Sequence, residues 1–529
     1  MWLIIVVFLA GFLRFYNVAS IPPALNSDEV AIGYNAYSIL KTGRDEYNRS
    51  FPLTFRSFDD YKMPVYVYMV SASMALFGTS DFSVRFPSAL FGTLTVLLTY
   101  FLVKEICKKN KLVPILAAVL LSVSPWHLMF SRAGYEANVS LFFIVFGAYC
   151  LLVGLRKGLY IPLSGVLFAL SIWTYHTARI FVPLLFIGFA IIYGKHLWKQ
   201  KVYMIVGILL GLIILFPLIR LSLSVEGQMR AIGVSSFANS DDLKISISRI
   251  IYDTKNNLSF YSFFHNRRFE YFIIFIRGYF SHFDLNFLFL DKAIEKYRAP
   301  GVGLLYLFEL PLLCIGVYQL IRQWSKGSAL LFWWIIISPV AAAFTLQLPH
   351  PVRTIVFLPV IQIIAALGAA EVLSKAKQRL TAILLYIFVA CCAMNITYFF
   401  HQYFVHMPIE NAKYWYAGRK EMVTKLVQYE DSYDRIIVSN QLDFPYIFFL
   451  YYGRVDPQQY QQKGGTKSGG FNENDNAWGK YEFRSLSSFV RDQYEKVLFV
   501  GLPGEEFKKS LVVDTIYYPD GSPAIVFFK

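Results

Sequence analysis

The sequence predicts a polytopic α-helical membrane protein of about eleven spans that ends in a small extracytoplasmic α/β domain. Three observations predict it. Of the 529 residues, 56% are hydrophobic and 16% charged, whereas soluble domains average about 45–50% apolar and about 25% charged residues. The apolar residues come in long runs, and every second turn between runs is basic. The composition then changes after about residue 400.

The net charge of +15 would suit a nucleic-acid binder. Much of it, however, sits in short Lys/Arg turns between apolar runs, which is what membrane topology produces. Nucleic acid is therefore not an expected partner. Cys107 lies beside a basic turn, and Cys150, Cys314, Cys391 and Cys392 fall inside apolar runs. Neither a disulfide framework nor a thiolate metal site follows from them.

The expected spans are 2–17, 86–103, 112–130, 138–155, 159–176, 180–194, 202–219, 301–321, 328–347, 352–370 and 380–399. The first has no basic leader or small-residue cleavage signature, so it is expected to remain as a span. Basic residues follow alternate spans: Lys104, Lys108, Lys109 and Lys111; Arg156 and Lys157; Lys195, Lys199 and Lys201; Arg322 and Lys326; Lys375, Lys377 and Arg379. Such turns stay cytoplasmic. A multi-pass protein of the cell (cytoplasmic) membrane follows, with its N-terminus inside and its C-terminal domain outside.

The outer side then receives residues 18–85, the turns near Ser131–Asn138 and His176–Arg179, residues 220–300, the Pro349–Arg353 turn and everything after about 400. Residues 1–400 are expected to form the membrane domain and 401–529 the outer domain. Within 220–300, the run Tyr271-Phe-Ile-Ile-Phe-Ile-Arg-Gly-Tyr-Phe280 mixes aromatics with charge, as interfacial segments do. In the tail, Glu421 to Tyr429 predicts a helix. Asp434 to Ser439 and Lys496 to Val500 predict strands, and Thr515 to Phe528 predicts a hairpin turning on Pro519-Asp-Gly-Ser-Pro523. Gln458 to Trp478 reads as a loop.

The residues that could carry chemistry all fall on the outer side. Asp28 and Glu29 follow the first span at the head of an amphipathic segment. They suit the positive end of a helix capped by Asn26 or Ser27, or a carboxylate that accepts a proton from a hydroxyl. Lys62, in Phe58-Asp-Asp-Tyr-Lys-Met-Pro-Val-Tyr66, is either a snorkelling anchor or a cation for an anionic lipid head group. Asp59 and Asp60 beside it could ligate a metal, with Tyr61 in support. The outer turn Ser131–Asn138 holds Arg132 and Glu136 as an ion pair or as site residues. Tyr175-His176 with Arg179, and His350 with Arg353, each set a histidine three residues before an arginine. Arginine suits phosphate through its planar fork, although arginines at span edges also serve as anchors. His282 is a further metal ligand or hydrogen-bonding group.

Taken together, the first span followed by Leu25-Asn-Ser-Asp-Glu-Val30, then Asp60-Tyr-Lys-Met-Pro-Val-Tyr66, then Val84-Arg-Phe-Pro-Ser-Ala-Leu-Phe-Gly92 resemble the GT-C membrane glycosyltransferases. The nearest group is that of the protein O-mannosyltransferases and the lipid A aminoarabinose transferase. The resemblance spans about residues 1–370. It implies a GT-C-like fold, Asp28 as catalytic base with Glu136 as a second acid, and Lys62 and Arg353 on the donor phosphate. Glu29 beside the base and Arg132 or Arg179 at the phosphate complete the expected site. Relatives often carry Asp at the position of Glu136 and a second proline at Met63. The implied reaction moves a sugar, with inversion, from a polyprenyl-phosphate donor to a hydroxyl of a protein, lipid or glycan acceptor. It requires no cofactor and leaves room for a divalent metal. A transporter or flippase is the alternative; it would place ionisable residues at span centres, where this chain has few beyond Glu309. A further enzyme alternative, an oligosaccharide transferase, lacks support in Trp333-Trp334, which no Asp follows.

Overall fold

The computed structural model describes residues 1–58, 60–108, 110–223, 241–258, 260–290, 293–375, 379–466, 476–488, 496–507 and 510–529. Asp59, Lys109 and Lys377 lie outside them. Two compact units result. One comprises Met1–Ala10, Gly92–Met129 and Ala137–Thr397, the other Gly11–Phe91, Phe130–Glu136 and Tyr398–Lys529.

Among the described residues, seven helices are long and apolar enough to cross a membrane: Asp81–Ile106, Glu136–Gly154, Ala178–Lys199, Lys201–Ser222, Lys326–Ala343, Ile355–Ser374 and Ile383–Glu410. Val113–Val123 and Pro125–Ser131, bent by 58°, form an eighth if they are one span. Pro125 accounts for the break, since proline disfavours helix in the residue before it.

The structure therefore gives seven or eight spans by this measure, where the sequence predicts about eleven. Three of the predicted spans fold as helices of 14, 15 and 14 residues: Trp2–Phe15, Tyr160–Thr174 and Glu309–Arg322. At 1.5 Å per residue these reach roughly 21–23 Å, short of the ~30 Å hydrocarbon core. Glu309 opens its helix instead of occupying the middle of a span. Conversely, an apolar helix not predicted, Pro64–Phe77, lies within residues 18–85, the segment expected outside. Proline at its first position pre-sets the dihedral that starts it.

In the first unit, the Glu309–Arg322 and Val360–Ser374 helices pack backbone to backbone. A Cβ on Gly316 would meet the Ile364 carbonyl oxygen at 1.9 Å, and one on Gly368 would meet that of Leu312 at 2.0 Å. Contact between membrane helices rests on such close approach, because lipid tails remove any hydrophobic gain from pairing them. The five basic turns converge at one end of this unit. Lys108, Arg156, His196, Lys326 and Glu371, one from each turn or from the helix end beside it, line a single cavity of about 810 Å³.

The second unit contains the predicted α/β fold. Its six-stranded sheet has the order β4-β5-β3-β6-β8-β7, with β3 Arg435–Ser439, β4 Asn476–Trp478, β5 Tyr481–Arg484, β6 Val497–Gly501, β7 Val512–Tyr517 and β8 Pro523–Phe528. β3 runs parallel to β5 and β6, and the other pairings are antiparallel. Ile437, Val497, Phe499, Val526 and Phe528 form a core on one face with Leu486. The predicted helix is Arg419–Tyr429, and the predicted hairpin is β7–β8. The segment read as a loop differs: Pro457–Gln462 is helical and Asn476–Trp478 is strand β4, while residues 467–475 lie outside the described ones. Asp456 accepts from the Gln459 amide at 3.0 Å and so caps that short helix.

Candidate active site

The site is built within the second unit around the start of the Ser27–Thr42 helix. Asn26 is its N-cap, and its side-chain oxygen accepts from the amides of Asp28 and Glu29 at 3.0 and 3.2 Å. Glu29 returns the contact, accepting from the Asn26 amide and side-chain nitrogen at 3.0 Å each. This reciprocal box leaves Asp28 on the outer side of the first turn and turns Glu29 inward.

Asp28 meets Lys62. The Lys62 Nζ donates to Asp28 Oδ1 at 2.7 Å, with the lysine side chain 7% exposed and the carboxylate 52% exposed. A short hairpin presents the lysine: β1 (Phe55–Ser57) pairs antiparallel with β2 (Asp60–Lys62), setting Phe55 opposite Lys62. Met63 is extended at φ −72° and ψ 146° before Pro64 starts the next helix. The residue before a proline is driven to that region, so the Lys-Met-Pro order fixes where the strand ends and the helix begins. The ammonium also lies 5.6 Å from the Phe58 ring centroid, a cation–π contact.

Glu29, predicted as a catalytic partner, is 1% exposed. Its Oε1 accepts from Arg85 Nε at 2.9 Å and from the Gly134 amide at 2.7 Å. With Asn26 on Oε2 as well, neither oxygen faces open space. Arg85 completes the node by donating to the carbonyls of Val18, Pro22 and Ala24. Glu29 is thus an internal anchor. At Gly134 a Cβ would come within 3.1 Å of Glu29 Cγ, so a larger residue would press on that carboxylate.

Arg132, predicted on the phosphate, is likewise fully buried. It donates to Tyr403 Oη at 3.1 Å and to the carbonyls of Leu13 and Ile21 at 2.6 and 3.1 Å. Its fork is used on the protein itself. Glu136 sits half-buried at the start of the Glu136–Gly154 helix, two residues after Gly134. Tyr61 pairs with Arg56 in the hairpin, and Asp60 is the first residue of β2.

The remaining predicted residues described by the structure belong to the first unit. His282 is buried, its Nδ1–H donating to the Gly278 carbonyl at 2.7 Å and its Nε2 accepting from the His350 amide at 3.2 Å. Both nitrogens are committed, which removes it as a metal ligand, and burial lowers its pKa to about 4. Burial, with Arg353 nearby, also depresses His350 well below the usual histidine range; its ring packs against Tyr297 at 5.3 Å. Arg353 donates to Thr345 Oγ1 at 2.7 Å. Tyr175 ends the Tyr160–Thr174 helix, and His176 precedes Arg179 in the first turn of Ala178–Lys199. Among the described residues, no group of three His, Cys, Asp or Glu side chains could hold a metal ion.

One neighbour of Asp28 was not predicted. Tyr416, in the left-handed region at φ 56°, hydrogen-bonds Ser27. Burial raises its phenol above the ordinary value, with Asp443 and Asp28 adding to the effect. Arg85 was not predicted either, although an arginine near an apolar helix is itself a signal of an internal partner.

Comparisons with known proteins bear on the fold. Residues 61–220 match the family described as dolichyl-phosphate-mannose-protein mannosyltransferase. The structure of ArnT from Cupriavidus metallidurans bound to undecaprenyl phosphate is similar, with a TM-score of 0.58 at 12% identity over 99% of this chain and 98% of that one. Its apo state gives a TM-score of 0.55 at 12% identity, over 99% and 97%. The archaeal oligosaccharyltransferase AglB from Archaeoglobus fulgidus, in complex with an inhibitory peptide and a dolichol-phosphate, gives 0.51 at 14% identity over 85% of this chain; the chain spans 63% of that protein's length. No curated protein matches the sequence. The fold is similar to those of ArnT and AglB. More narrowly, the likeness runs along nearly the whole chain to the aminoarabinose transferase and over most of it to AglB.

Proposed function

We propose that the protein is an inverting glycosyltransferase that moves a sugar from a polyprenyl-phosphate carrier to a hydroxyl acceptor at the outer face of the membrane. The observation that carries this reading is the 2.7 Å pair between buried Lys62 and half-exposed Asp28. The undecaprenyl phosphate of ArnT and the dolichol-phosphate of AglB support the donor class, as does the family matched from residue 61 onward.

In the proposed reaction the acceptor oxygen forms its bond to the anomeric carbon as the bond from that carbon to the phosphate oxygen breaks. Asp28 takes the acceptor proton, and the lipid phosphate leaves with the bonding electron pair. Lys62 turns from Asp28 toward the phosphate and offsets its growing charge. The same movement frees the Asp28 carboxylate for its proton. Arg132 and Glu29 hold the backbone around the pair and do not touch substrate. The phosphate is assigned to Lys62; Arg179 and Arg353 belong to the other unit.

The test is release of polyprenyl phosphate from a radiolabelled lipid-linked sugar by purified protein, with and without acceptor. Asp28→Asn should cut transfer by about 10²–10⁴-fold, the usual contribution of a general base, while inserting normally. Full activity in that variant ends the assignment.

A further inference from the structure

The end of the first unit that gathers the basic turns holds chemistry that the transfer reaction does not use. Its cavity has a volume of about 810 Å³. Leu152, Leu331 and Leu367 line it along with cationic and aromatic groups. Most charges there are matched. Arg156 pairs with Glu105 at 2.7 Å, Lys108 approaches the same carboxylate at 4.0 Å, and Glu371 is held by Lys375 at 3.0 Å.

Lys326 is different. Its Nζ donates to His196 Nδ1 at 3.3 Å and lies 5.6 Å from the Tyr193 ring centroid. A lysine held against a ring nitrogen and an aromatic face, without a carboxylate partner among the described residues, offers its charge to an anion. Beside it, Trp324 is 64% exposed and stacks on Phe332 at 5.7 Å, the placement of an aromatic at the membrane–water boundary.

We infer that this cavity is a binding site for a phospholipid of the leaflet beside the basic turns. Its phosphate would sit on Lys326, and an acyl chain would follow Leu331 and Leu367. Basic pockets between membrane helices take up anionic head groups in this way. The lysines and arginines at the surrounding helix ends offset the partial negative charge of those termini, so an anion can approach. The inference is independent of the Asp28 chemistry.

The test uses full-length protein purified in a mild neutral detergent. Native mass spectrometry counts retained phosphatidylglycerol, and thermal unfolding is followed with added phosphatidylglycerol or inorganic phosphate. Wild type should retain the lipid, Lys326→Glu should retain at least fivefold less, and Lys326→Arg should restore retention. Leu331→Gln, which makes the lining less apolar and leaves the cation in place, should weaken retention too. Equal retention by Lys326→Glu overturns the site. A stabilisation by inorganic phosphate as large as that by the lipid overturns the lipid assignment.

Discussion

Lys62 and Asp28, thirty-four residues apart in sequence, share a 2.7 Å hydrogen-bonded ion pair whose lysine is buried and whose carboxylate faces solvent. The asymmetry matters. A buried ammonium keeps its position and awaits a counter-charge, while an exposed carboxylate can be reached by an acceptor. If a donor phosphate competes for the lysine, Asp28 is released as the donor arrives.

Lys62→Met is therefore expected to keep the fold, because the unbranched side chain still packs against Phe58. Transfer should fall by about 10²–10³-fold, the typical loss when one transition-state donor is removed. Donor-dependence of polyprenyl-phosphate release measures it. Unchanged rate and donor affinity would remove the lysine from the site.

Glu29 and Asp28 are adjacent, and their variants should fail in different ways. Glu29→Gln leaves Arg85 buried without its counter-ion, since both side chains are at most 1% exposed. Breaking such a pair costs about 3–5 kcal/mol, so size-exclusion chromatography should show misfolded or aggregated protein. Asp28→Asn should elute as wild type. A well-folded but inactive Glu29→Gln would sink the anchor role.

Tyr416→Phe removes the hydroxyl that bonds Ser27 beside Asp28. One net hydrogen bond is worth about 1 kcal/mol, so a small drop in melting temperature is expected together with a fall in turnover of about tenfold or less. Turnover matching wild type would show that the phenol only packs.

A pH effect should come from Glu46. Its buried carboxylate accepts from Asn35 Nδ2 and Thr466 Oγ1 at 2.8 Å each, and burial raises its pKa from 4.5 to about 7. The folded protein then holds a proton that the unfolded chain releases above pH 4.5. Its stabilising contribution is full below that pH, declines as pH rises through 7, and is flat beyond. Wild type should lose more melting temperature between pH 5 and 8 than Glu46→Gln. Parallel curves for the two proteins would contradict this.

Much was legible in the sequence because it depends on local pattern. The apolar runs, the basic turns and the tail strands each follow from composition over a short window. So does the Asn26-Ser-Asp-Glu29 start, which predicts a capped helix head wherever it folds. The segments predicted as spans at 2–17, 159–176 and 301–321 fold as helices of 14, 15 and 14 residues, because hydropathy does not report where a helix stops.

The sequence by itself determined that acids and bases of the right kinds lie near Asp28 and Lys62, and that lysines collect in alternate turns. Only the tertiary structure decided which of two neighbouring carboxylates is open, and which arginines are spent on the protein's own carbonyls. The reason is physical. A residue's type sets what it can donate or accept, but burial and partners at distant positions decide whether anything is left for a substrate. Glu29 meets its partners at 85 and 134, and Arg132 meets its own at 13, 21 and 403, separations over which no local pattern carries information.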